Sequence, residues 1–118
     1  MTILEAANCH DIGFDYNQVL NRFCNNEALM NKFIKKFLQD ENYSQLIEAV
    51  KAGDYPMVER TAHTLKGVSA NLGFDHLFQH CNQMVVDVRE KGYEKLEADL
   101  KEIVAAYEQV TAFIQALD

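Results

Sequence analysis

Tyr93–Leu117, YEKLEADLKEIVAAYEQVTAFIQAL, is the stretch that decides the fold. Its apolar residues Leu96, Leu100, Ile103, Tyr107, Val110, Ile114 and Leu117 recur at alternating four- and three-residue intervals. That spacing lines one face of a long α-helix and makes the seam of a helix bundle. A helix with one such face needs partners, and the preceding sequence supplies them.

Working back from it, about Asp75 to Lys91 reads as a helix ending at Gly92, with Leu77, Cys81, Met84, Val85 and Val88 on its apolar side. Before that, Asp54 or Tyr55 caps a helix that tolerates Pro56 in its first turn, runs to about Asn71 and closes at Leu72-Gly73. The segment from about Asn26 to Lys51 carries Leu29, Met30, Phe33, Ile34, Phe37, Leu38, Leu46, Ile47 and Val50 at helical spacing, and is read as one continuous helix. A short helix from about Asp15 to Phe23, capped by Asp15, precedes it. No segment alternates with period two. The expected fold is all-α, an antiparallel up-and-down four-helix bundle with an additional short N-terminal helix. One domain is expected over 1–118, with 1–14 as an N-terminal segment and about 15–117 helical.

A formal net charge of −7 argues against nucleic acid, which needs a clustered basic face. No basic amphipathic stretch suits an anionic membrane surface, and no apolar run reaches the ~18 residues of a spanning helix. The three cysteines, Cys9, Cys24 and Cys81, are an odd number without a C-x-x-C pair, which favours reduced thiols in a cytoplasmic protein over a disulfide framework.

On a wheel of about 100° per residue, Val58, Thr61, Ala62, Leu65, Val68, Ser69 and Leu72 share one side of the helix that follows Gly53. His63 falls nearly opposite, among Glu59, Arg60, Lys66, Gly67 and Ala70. Lys66, three residues on, is within reach of a group attached to the imidazole. Gly67 lies one turn after His63 in mid-helix, where glycine costs about 1 kcal/mol relative to alanine. Close approach by something bulky is one reason to tolerate it. Geometry alone still allows a merely solvated histidine.

The string Ala62-His63-Thr64-Leu65-Lys66-Gly67-Val68-Ser69-Ala70-Asn71-Leu72-Gly73 resembles the signature of the histidine-containing phosphotransfer (HPt) domains of multistep two-component relays. The family pattern is close to A-H-x-L-K-G-x-x-x-x-L-G, and each fixed position is met. Asp15-Tyr16, Arg22-Phe23, Ala52-Gly53-Asp54, Leu77 and Cys81 extend the likeness over nearly the whole chain. The resemblance implies a four-helix bundle in which His63 is phosphorylated, Lys66 neutralises phosphoryl charge and Gly67 opens space for an incoming aspartyl phosphate. It also implies receiver domains of response regulators or of a hybrid sensor histidine kinase as partners. Many members carry Glu or Gln on the next helix to orient the imidazole, where this chain has Val85; helix geometry does not bring Gln79 or Gln83 to that point.

A neutral imidazole nitrogen is a competent nucleophile near physiological pH, and phosphoryl transfer depends mainly on positioning and charge stabilisation. One helix with one lysine offers little of either. The expectation is therefore a phosphoryl carrier without kinase activity or cofactor of its own, the divalent metal belonging to the partner receiver. Docking needs apolar surface, for which Phe14, Val19, Leu20 and Phe23 are candidates, with Arg60 and Ala70 flanking His63. The rival class is a scaffolding or receiver-binding bundle that is never phosphorylated. His76 and His80, at i and i+4, have metal-binding spacing but no third ligand near in sequence, and read as surface histidines. A monomer is the default.

Overall fold

The computed structural model describes residues 1–118 as helices and turns without a strand. Seven helices follow in order: α1 (Ile3–Cys9), α2 (Tyr16–Arg22), α3 (Glu27–Lys36), α4 (Asn42–Ala52), α5 (Tyr55–Leu72), α6 (Asp75–Arg89) and α7 (Leu96–Gln115). α4, α5, α6 and α7 close a ring in which each packs on the next and α7 returns to α4. The molecule measures 40 × 24 × 21 Å. This is the expected all-helical bundle.

Local chemistry sets most of the helix ends. Asp15, Asn26 and Asp54 each accept a hydrogen bond from the backbone N–H three residues on, satisfying first-turn donors of α2, α3 and α5. Gly73 ends α5 with φ of 79°, and it has a second constraint. A Cβ there would stand 2.3 Å from Val19 Cγ2 and 3.1 Å from Phe14 Cδ2, so α2 seats against the end of α5 only because Gly73 has no side chain. Arg22 fastens the same junction. Its Nη1 donates to the last-turn carbonyls of Ala70 (2.6 Å), which also accepts from Gly73 N–H, and Asn71 (3.2 Å).

Two features depart from the sequence reading. The expected continuous helix from Asn26 to Lys51 is broken: a 3₁₀ turn spans Phe37–Gln39, and Asp40 is extended with ψ of 128°. Asp40 Oδ1 accepts from both the backbone N and the Nδ2 of Asn42, each at 2.8 Å, giving the chain a local alternative to the helical ladder. Phe37, at the break, is buried against Phe74 and Tyr107. Secondly, the N-terminal segment contributes α1, opened by a capping box between Thr2 and Glu5. Ile3, Ala6 and Ile12 are buried in the common core.

One polar feature crosses the α6–α7 interface. Asp87 is buried and accepts from Gln83 Nε2 at 3.0 Å. Asp99 faces it from α7, and its buried Oδ2 has no donor when both acids are ionised. A proton on Asp99, donated to Asp87, resolves that deficit. Burial, then the hydrogen bond to Asp87 and its negative charge, push the Asp99 carboxyl up to about 7, against the opposing influence of Lys95. The folded state thus holds a proton that the unfolded chain releases near pH 4. This contribution to stability is complete below the ordinary carboxyl range and is lost as pH rises through about 7. Thermal unfolding is expected to show the melting temperature falling between pH 5.5 and 8.5. Asp99→Asn, whose amide can still donate to Asp87, should remove much of that slope, and an unchanged slope would contradict the shared proton.

Candidate functional site

The rotation of α5 follows from its apolar face. Val58, Thr61, Ala62, Leu65, Ser69 and Leu72 are buried, and Val68 is half-buried at the edge. His63, on the other side, is exposed, as are Arg60, Thr64 and Gly67. The buried hydroxyl of Thr61 satisfies itself by donating to the Met57 carbonyl at 2.8 Å, and Thr64 donates likewise to Arg60 O at 3.0 Å.

Gly67 has no internal reason to be glycine. Nothing lies within 4 Å of a Cβ built on it, and its φ is outside the left-handed region. The helix bears the propensity cost of about 1 kcal/mol without any return inside the chain. Gly73, six residues later, is held by packing; Gly67 stands beside open space.

Two polar contacts bind α5 to α6 on the His63 side. Lys66 Nζ donates to Asn82 Oδ1 at 3.3 Å, and Arg89 Nε donates to Glu59 Oε2 at 3.0 Å. The helices are antiparallel, so these two pairs set the register: Val85 and Val86 stand level with His63. Val85 is buried in the core, while Val86 is exposed. No polar side chain of α6 therefore meets the imidazole at its own level. Gln79 is bonded to Asp75 and Gln83 to Asp87, so neither takes the orienting role in this arrangement. Lys66 is half-buried and tethered by Asn82. A shallow cavity of about 290 Å³ joins His63 to Pro56, Glu59, Arg60, Thr64 and Arg89.

The expected docking residues fall in different surroundings. Arg60 is exposed next to His63, and Ala70 is half-buried with its carbonyl taken by Arg22. Phe14 packs inward on Phe113, with ring centroids 5.3 Å apart. Leu20 is half-buried against the core, and Val19 is fully buried. These three close the bundle end. The exposed apolar surface lies further along: Phe23 and Phe33, ring centroids 5.7 Å apart, line a groove of about 670 Å³ with Phe37, Val68 and Leu72. Phe33 is 43% exposed, and Leu29, one turn before it on α3, is exposed too. Arg22 and Lys36 supply cations at the wall of the groove. His76 faces Asp11 at 3.9 Å and His80 faces Glu102 at 4.0 Å, so the pair addresses separate carboxylates.

Sequence patterning placed His63, Lys66 and Gly67 on one face, but it did not identify Asn82, Arg89 or the Phe23–Phe33 groove. Asn82 and Arg89 lie seven residues apart on the solvent side of α6, a two-turn repeat that marks them as sharing a face. Only the register of α6 against α5 shows what that face meets.

The family model for the Hpt domain matches residues 33–117. The chain belongs to the Hpt domain family. Domains of this family serve histidine phosphotransfer in phosphorelays and interact with receiver domains. No curated protein and no solved structure matches the chain. The match to the Hpt domain begins inside α3, so α1 and α2, with the Arg22 fastening of α5, lie outside it. No helix is long and apolar enough to cross a membrane.

Because Gly67 faces open space, Gly67→Ala is expected to raise unfolding stability by roughly 0.5–1 kcal/mol in denaturant titration. Destabilisation would show that the glycine serves a purpose within the folded chain.

Proposed function

We propose that this Hpt domain carries a phosphoryl group on His63 between aspartate-bearing receiver domains. The observation that carries the reading is the exposed His63 one turn from a glycine that nothing inside the chain requires. A donor receiver brings its aspartyl phosphate over Gly67. The imidazole lone pair attacks phosphorus, the P–O bond breaks, and the aspartate carboxylate leaves with the bonding electrons. The ring's other nitrogen gives its proton to water. Transfer onward reverses these steps at a second receiver.

The Hpt domain's part is to present the nucleophile and balance charge. Lys66 and Arg60 supply cations around His63, and the acidic cluster and divalent metal are assigned to the receiver. The Phe23–Phe33 groove, on the same flank of α5 as Thr64 and Val68, supplies apolar docking area. Apart from the partner, the domain is a carrier without kinase activity.

Incubation with a phosphorylated receiver is expected to give acid-labile, base-stable label on the wild type and none on His63→Gln. Gly67→Gln should slow transfer by at least about tenfold through obstruction of docking, with helical circular dichroism unchanged. Label persisting in His63→Gln, or absent from the wild type with several donors, would overturn the proposal.

A further inference from the structure

The groove that Phe23 and Phe33 open toward solvent has a volume of about 670 Å³, within the roughly 300–1,000 Å³ of sites that hold small molecules. α5 contributes Val68 and Leu72 to it, and the 3₁₀ turn after α3 contributes Phe37 and Gln39. Its charged groups are unequal. Arg22 and Lys36 are exposed, and neither forms an ion pair within the chain. Arg22 donates through Nη1 to the end of α5, which leaves Nη2 and Nε for another acceptor. The one carboxylate among the lining residues is Asp40, half-buried, with Oδ1 already taken by Asn42. Lys32, one turn before Lys36 on α3, is exposed as well. In a chain of net charge −7 this is a local reversal of sign. A second copy packed through the same face would set these lysines against each other, and a neutral apolar ligand would leave the cations unused. The occupant that answers both the apolar lining and the cations is an anion with an apolar tail.

We infer that the groove binds a medium-chain acyl carboxylate. Lys36 and the free N–H groups of Arg22 hold the carboxylate, and the chain lies over Phe23, Phe33 and Val68. Arginine meets a carboxylate with two parallel hydrogen bonds, and each methylene removed from water adds to the affinity. Binding belongs to the unphosphorylated chain and does not depend on His63. Its consequence rests on the proposed function: the bound ligand fills apolar area assigned to the receiver, and so slows phosphoryl transfer.

The test titrates the ¹⁵N-labelled, unphosphorylated protein with decanoate below its micelle concentration and follows the amide resonances. Saturable shifts centred on Phe23, Phe33 and Val68 are expected. Hexanoate, with a shorter chain to bury, should bind at least about tenfold more weakly. Lys36→Glu should weaken decanoate about fivefold, with thermal melts showing that the variant is folded. Decyltrimethylammonium, of equal chain length and opposite charge, should give no saturable shift at these residues. Phosphatidylglycerol vesicles separate a free acyl anion from a membrane surface, and the protein should not sediment with them. The site is overturned if decanoate shifts nothing in the groove, if the two decyl compounds bind alike, or if the protein sediments with the vesicles and ignores decanoate. With decanoate at about ten times its dissociation constant, about a tenth of the domain is free, and transfer from a limiting phosphorylated receiver should slow about tenfold. Saturable binding without that slowing refutes the competition and leaves the site standing. A wild type that takes no label even without decanoate counts against the role of His63 alone.

Discussion

The rotation of α5 about its own axis is the constraint on which the site depends. Val58, Ala62, Leu65 and Leu72 are buried between α4 and α6, and each apolar side chain so buried contributes on the order of 1–3 kcal/mol. Turning the helix far enough to bring His63 inward would expose several of them together and bury an imidazole without a partner. The core therefore determines that His63 faces solvent, and no polar contact to the ring is needed to keep it there. Gly73 and Arg22 hold the end of the helix against α2, so rotation and axial position are both constrained.

The second determinant is the α5–α6 register. Lys66 with Asn82 and Glu59 with Arg89 bracket His63, leaving valines at its level. The imidazole is thus flanked by charge without being fastened by it. On the proposed reading, a visiting domain would organise the reaction of His63, and the bundle would supply exposure, cations and clearance. The Phe23–Phe33 groove gives the same side of α5 an apolar area beyond the charged cluster.

Helical periodicity sufficed for α5, α6 and α7, because each carries several turns of one apolar stripe between recognisable ends. It failed between Phe37 and Asn42, where Gln39-Asp40-Glu41-Asn42 contains no Gly or Pro to mark a stop while Asp40 captures Asn42 locally. α1 has only seven residues, less than two full turns of pattern, although Thr2 and Glu5 carried a capping signal. Within the site, everything borne by α5 was legible: His63, Lys66 and Gly67 share a face by spacing alone. Asn82 and Arg89 were not, because their role depends on how one helix is set against another. Among the docking candidates, Val19 is buried and Phe14 and Leu20 are half-buried, because Gly73 lets the segment that carries them seat closely against the end of α5, a contact no local pattern reveals.

The central claim concerns one of four histidines, His10, His63, His76 and His80. Tandem mass spectrometry of the receiver-phosphorylated protein, with peptides kept at alkaline pH and fragmented by electron transfer, locates the modification directly. The account predicts phosphate on His63 alone, with the peptides containing the other three unmodified. Phosphate on His76 or His80 instead, with His63 bare, would contradict it.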